Sequence, residues 1–156
     1  MAKATFGAGC FWGVEARFAQ VPGVTSTAVG YEGGNLDNPS YRDVCTDATG
    51  HAEVVEVDYD PGKVSFEQLL DLFFKLHDPT QLNRQGPDWG TQYRSVVFYH
   101  SPEQEAAAKA TIAHLTDEKR FRKPIVTQVV PAQTFWRAED YHQKYLEKRG
   151  AVSCHI

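Results

Sequence analysis

The sequence predicts one α+β domain built as a two-layer plait, with helices on one face of a sheet. Three observations predict it. Apolar alternation and amphipathic runs follow one another in the order β-α-β-β-α-β. Two serine-led capping signals mark helix starts. A length of 156 residues, 42% of them hydrophobic, suits a single core over residues 1–156. That element order is the split βαβ pattern of ferredoxin-like plaits.

The elements follow in turn. Residues 3–6 read as a short strand and 11–20 as a helix closed by Pro22-Gly23. Residues 24–31 form a second strand. A Gly-, Asn-, Asp- and Pro-rich loop then spans 32–50, a length usually kept for function. Residues 53–59 alternate, with Val55, Val57 and Tyr59 on one face and Glu56 and Asp58 on the other. Ser65 and Gln68 make a capping box that opens an amphipathic helix over 66–76. A polar loop over 78–92 leads into a strand at 93–99. Ser101 and Gln104 repeat the cap, with Pro102 at the first helical position of a helix running to about 118. Residues 125–130 add a strand, and 138–149 a helix stopped by Gly150. Residues 150–156 are expected to form a mobile tail.

Composition narrows the function classes. A net charge of −4 argues against a nucleic-acid partner, and Lys119-Arg120 and Arg122-Lys123 read as a solvated helix end. No apolar run is long enough to span a bilayer, so no membrane partner is expected. Met1-Ala2-Lys3-Ala4-Thr5-Phe6 lacks the apolar stretch of a signal peptide, which makes the reducing cytoplasm the expected location. Three cysteines, Cys10, Cys45 and Cys154, are too few for a secreted disulfide framework.

Cys10 falls between a strand and a helix start, where free N–H groups and the helix dipole stabilise a thiolate. Gly9 and Gly13 leave room around it, and Phe11 and Trp12 supply an apolar wall. An inert core cysteine with two core aromatics stays open on these grounds alone. Glu53 opens an apolar strand, where desolvation raises a carboxyl pKa and makes a proton donor; a solvated edge glutamate is the alternative. His51-Ala52-Glu53 has the H-x-E form of zinc deaminases but lacks their P-C-x-x-C, so no metal is expected. Tyr41 and Tyr93 end the two long loops and could donate to a polar oxygen, with Asp88 near to orient them; packing roles compete. Cys154 lies in the tail, where a second thiol could reach a distant partner, whereas Cys45 reads as structural. His114 and His142 sit in expected helices and read as packing or surface residues. A cysteine hydrolase and a non-catalytic peptide-binding module remain the rival classes.

Taken together, several segments resemble the class A peptide methionine sulfoxide reductases. They are Gly9-Cys10-Phe11-Trp12-Gly13, Asn38-Pro39-Ser40-Tyr41-Arg42-Asp43-Val44-Cys45, Gly50-His51-Ala52-Glu53-Val54, the stretch from Asn83 to Ser95, and Ala138-Glu139-Asp140-Tyr141-His142-Gln143-Lys144-Tyr145. Enzymes of this class are the known route for reversing methionine sulfoxide formation. The resemblance implies that Cys10 attacks the sulfur, Glu53 protonates the oxygen, and Tyr41 and Tyr93 hydrogen-bond that oxygen. It implies that Phe11 and Trp12 pack on the S-methyl group while Asp88 organises the pocket. It further implies action on the S epimer, free or in peptides and proteins, without cofactor or metal. Cys154 is then the resolving thiol, and thioredoxin the reductant of a Cys10–Cys154 disulfide.

Overall fold

The computed structural model describes residues 2–148. Strand β1 (Ala2–Ala8) leads into α1 (Phe11–Ala19), β2 (Val24–Glu32) and the short α2 (Tyr41–Cys45). Strand β3 (Ala52–Tyr59) and α3 (Phe66–Lys75) follow, then a small ribbon of β4 (Arg84–Gln85) and β5 (Asp88–Trp89). Strand β6 (Ser95–Tyr99), α4 (Pro102–Asp117), β7 (Gln128–Pro131), β8 (Trp136–Arg137) and α5 (Tyr145–Lys148) complete the described chain.

The fold is mixed α/β. Six strands form one sheet in the order β7-β6-β1-β3-β2-β8. β1 runs antiparallel to β3 and β6, and β2 antiparallel to β3 and β8. The edge strand β7 is parallel to β6, which makes the sheet mixed. Period-two alternation sends Val55, Val57 and Tyr59 of β3 into the core beneath the helices. There the Phe6 ring stacks on Phe18 at 4.9 Å and on Phe73 at 5.2 Å. Such pairs add about 0.5–1.5 kcal/mol each to simple area burial. The other face carries Ala52, Val54, Val96 and Phe98, covered by Val130, Ala132 and Phe135. Gly30 permits that cover, because a Cβ there would lie 2.6 Å from the Phe135 ring.

The expected helix caps form. Ser65 and Gln68 close a reciprocal capping box, and the Ser101 hydroxyl accepts from the Gln104 N–H. Both long loops carry structure that their polarity concealed. Ser40 and Asp43 form a capping box that starts α2, and the second loop folds back as the β4–β5 ribbon.

The helix expected over 138–149 does not form as one element. β8 ends at Arg137, a single 3-10 turn covers Asp140–His142, and α5 begins only at Tyr145. Tertiary hydrogen bonds outcompete the helix here. The Gln143 side chain accepts from Val29 N–H and donates to the carbonyls of Val29 and Ala138, all at 2.9 Å. The Lys144 N–H donates to buried Glu15 at 2.6 Å, with Lys144 itself at φ 53°. Residues 149–156, with Cys154 and the expected tail, lie outside the described residues.

Glu32, at the end of β2, is 1% exposed and accepts from the Gln133 N–H at 2.9 Å. Desolvation dominates that hydrogen bond and pushes its pKa from 4.5 to about 7. The folded chain therefore binds the proton more tightly than the unfolded chain. This group's contribution to stability is fully present below pH 4.5 and is lost as pH rises through 7, by about 2–3 kcal/mol. Glu32→Gln is expected to flatten this fall and to raise Tm at pH 8 relative to the parent, as thermal melts across pH 4–8 would read.

Candidate active site

Cys10 is the N-cap residue of α1 and half-buried. The turn that delivers it depends on Gly9, at φ 94°, where a Cβ would sit 2.8 Å from the Gln85 side chain. The first N–H of α1, on Phe11, donates to Glu53 Oε1 at 3.3 Å. The N-terminus of α1 thus carries the thiol at its cap and the carboxyl on its first N–H, where the dipole favours a thiolate. Glu53 is 2% exposed and shares the face of β3 that buries Val55 and Val57.

The two long loops close over this pair. The Thr91 N–H and hydroxyl both donate to Asp47, and Arg94 donates to the Gly50 carbonyl at 3.0 Å. Gln92 reaches from the second loop to Cys45 Sγ at 3.6 Å. These ties bring Tyr41 and Tyr93 to the same place. Burial pushes the Tyr41 phenol well above its ordinary pKa, helped by its hydrogen bond with Cys45 and by the charge of Glu53. Burial raises Tyr93 likewise, with Glu53, Asp88, Cys45 and Cys10 adding in the same direction. Both phenols therefore remain protonated donors through neutral pH. Cys45, expected to be structural, is instead exposed at the end of α2 and in contact with this cluster.

Trp12 is partly exposed and Phe11 is buried at 1%. The Phe11 ring lies 5.7 Å from Tyr31 and 5.3 Å from His142. The Trp12 indole stacks on Tyr145 at 3.9 Å and donates its N–H to His142 Nδ1 at 2.9 Å. Desolvation lowers the His142 pKa, which keeps the ring neutral and Nδ1 available as an acceptor. His142 is thus neither helical nor a surface residue, being 1% exposed in the 3-10 turn.

Sequence reasoning missed the frame behind Tyr41. Glu139 accepts from the Tyr41 N–H and from the Tyr31 hydroxyl, each at 3.0 Å. Burial works against its charge, but these hydrogen bonds outweigh burial and lower its pKa. His142 packs 4.6 Å from the Tyr41 ring, so one segment supports both Trp12 and Tyr41. The density of polar and aromatic residues in Glu139-Asp140-Tyr141-His142-Gln143 was the available signal. His51, by contrast, is a backbone latch: Nδ1 accepts from Gly34 N–H, and Nε2 lies 2.7 Å from the Leu36 carbonyl. Among the described residues, no cluster of three or more His, Cys, Asp and Glu could hold a metal ion.

Hydrogen bonds and charge interactions thus draw Cys10, Glu53, Tyr41, Tyr93 and Asp88 together from four chain segments, with Trp12 two residues past Cys10 on α1. Comparison with known proteins identifies the family. The family model described as peptide methionine sulfoxide reductase matches residues 2–156. A peptide methionine sulfoxide reductase MsrA of Acidobacterium capsulatum is 76% identical over 156 residues, covering 100% of each chain. The reduced form of Mxr1 from Saccharomyces cerevisiae superposes with a TM-score of 0.90 at 36% identity, covering 96% of this chain and 86% of that one. Methionine sulfoxide reductase A of Corynebacterium diphtheriae gives 0.84 at 40% identity, covering 95% and 74%. With full-length identity this high and the thiol–carboxyl pair in place, the chain belongs to the peptide methionine sulfoxide reductase family, class A.

Proposed function

We propose that this protein reduces methionine S-sulfoxide, free or in peptides and proteins, to methionine. The observation that carries the reading is the buried Glu53 carboxyl held on the Phe11 N–H beside Cys10. A sulfoxide sulfur is electrophilic, but its oxide leaves only when protonated. The Cys10 thiolate attacks sulfur while Glu53 delivers its proton to oxygen, a pairing that burial favours by keeping a carboxyl neutral. Tyr41 and Tyr93 donate hydrogen bonds to that oxygen, and Asp88 orders the pocket around them. Trp12 receives the S-methyl group, with Phe11 behind it. The protonated oxygen passes from the methionine sulfur to Cys10 Sγ as the sulfur–sulfur bond formed by the attack breaks, so methionine departs and Cys10 is left as a sulfenic acid.

The sulfenic acid condenses with the Cys154 thiol, releasing water and forming a disulfide, which a thioredoxin dithiol then reduces. The yeast relative Mxr1 is also solved in complex with Trx2, a likeness in fold that makes thioredoxin the reductant we assign. The reaction as written needs no cofactor or metal. We infer one catalytic domain over residues 1–156, and the order β6-β1-β3-β2 supports its reading as a ferredoxin-like plait. No helix among the described residues is long and apolar enough to cross a membrane, and the cytoplasm is the location we propose.

Single-turnover chemistry tests the reading. Reduced enzyme mixed with methionine S-sulfoxide, without external reductant, should yield about one methionine per Cys10 oxidised. Absence of product would sink the reductase assignment, and acylation of Cys10 by an ester would favour a hydrolase. Cys154→Ser should keep this first turnover and lose most thioredoxin-supported cycling. Cycling at the parent rate would remove Cys154 from the route.

A further inference from the structure

One region of this acidic chain is strongly cationic. A cavity of about 750 Å³ opens between the end of α3, strand β4 and the segment after α4. Its lining gathers Lys75, Arg84, Arg120, Arg122 and Lys123. A smaller cavity of about 220 Å³ adjoins it, shares Arg122 and Lys123, and adds Lys119. The whole chain carries −4, so this concentration of positive charge is local.

Few opposing groups face it. Asp78 lines the wall, with Oδ1 engaged by the Thr80 N–H and hydroxyl. Asp71 pairs with Lys75 at 2.8 Å on the exposed rim. His77 contributes no charge near neutral pH, because desolvation draws its pKa down to about 4. Its ring nitrogens contact the Phe73 carbonyl and the Ser95 hydroxyl. Arg84 is half spent, lying 3.9 Å over the Trp89 ring and donating to the Gly86 carbonyl at 2.7 Å. Arg120, Arg122 and Lys123 are exposed, and among the described residues none makes an ion pair within 4.0 Å.

Gln85 links the cavity wall to the turn that carries Cys10. The Gln85 side chain bonds both the N–H and the carbonyl of Asp78, at 2.9 and 2.8 Å. The same side chain packs against Gly9, the residue before the thiol. Leu82 and Trp89, 67% and 68% exposed, present apolar surface alongside. An extended polypeptide advances about 3.3 Å per residue, so a substrate whose sulfoxide sits at Cys10 carries its flanking side chains outward over the surface beyond Gln85.

We propose that this cavity is a docking subsite for the acidic side chains of oxidised polypeptides, selecting methionine sulfoxides that have Asp or Glu nearby in sequence. The proposal rests on the reductase reading and adds a substrate preference to it. Free methionine sulfoxide carries no flanking residues and gains nothing from the subsite. Because the charges are solvent-facing, the gain is screened by salt.

The test compares kcat/KM for three substrates: a peptide with three Glu on each side of methionine sulfoxide, its Lys counterpart, and free methionine sulfoxide. At low ionic strength the Glu peptide should be favoured over the Lys peptide by about tenfold, mainly through KM, with the advantage collapsing at 1 M salt. The triple variant Arg120→Glu, Arg122→Glu, Lys123→Glu should reverse the preference while keeping the parent kcat/KM on free methionine sulfoxide. Equal use of the two peptides by the parent overturns the proposal, as does an unchanged preference in the folded variant. A variant altered only in its KM for thioredoxin would also overturn it, assigning the surface to the reductant. Should the variant not fold, the salt dependence of the parent's preference decides. A parent that leaves free methionine sulfoxide unreduced would fail at the reductase reading itself, which the third substrate keeps separate.

Discussion

Cys10→Ser is expected to abolish methionine formation, lowering single-turnover yield by at least about 10⁴-fold, without loss of the fold. Sulfur nucleophilicity resides in the thiolate, and a serine hydroxyl at neutral pH has neither the ionisation nor the ability to become a sulfenic acid. The structural cost should be negligible. Cys10 is the N-cap of α1 and makes no side-chain capping bond, and serine is a preferred residue at that position. Thermal stability equal to the parent, or higher by up to about 1 kcal/mol, is the expected companion result. This combination distinguishes chemistry from folding. Methionine formation that survived would transfer the nucleophile to Cys45, whose thiol contacts Tyr41 and Gln92 in the same cluster.

Much of this arrangement was legible because it depends on local rules. The alternation of Val55, Val57 and Tyr59 set the face of β3, and counting back by two puts Glu53 on that buried face. The serine caps of α3 and α4 were local in the same sense, each a side chain bonded to an N–H three residues on. Cys10 at a helix start followed from the strand, the glycine and the aromatic run around it.

The remainder was decided by contacts distant in sequence. Ala138, Tyr141, Tyr145 and Leu146 fall at helical spacing, yet Gln143 fills hydrogen-bond positions on β2 and Lys144 donates to Glu15, 129 residues away. Helix propensity differs by less than about 1 kcal/mol per residue, so a few buried tertiary hydrogen bonds reverse it. The meeting of Tyr41 with Tyr93 is likewise invisible in either loop alone. It depends on Asp47 holding Thr91 and on Glu139 holding the Tyr41 backbone. His142 read as a packing or surface residue of a helix; it packs, but in a 3-10 turn that brings it under Trp12.

Glu53→Gln separates proton delivery from every other role of that side chain. Glutamine has the same shape and can still accept from the Phe11 N–H, so α1 and Cys10 should keep their positions. What it cannot do is hand a proton to the leaving oxygen. The expected loss in kcat is about 10²–10⁴-fold, or about 3–5 kcal/mol of transition-state stabilisation, with little change in KM. Tyr41 and Tyr93 would sustain the residual rate, since both phenols stay protonated well above neutrality. Their raised pKa values also fix the sign of the pH effect. Neither tyrosine contributes a falling limb between pH 6 and 9, so a decline of the parent's kcat with rising pH belongs to a different proton donor. In Glu53→Gln that limb should vanish. Steady-state kcat profiles of parent and variant over this range provide the measurement. Retention of the parent's falling limb in the variant would assign the proton donor to another group.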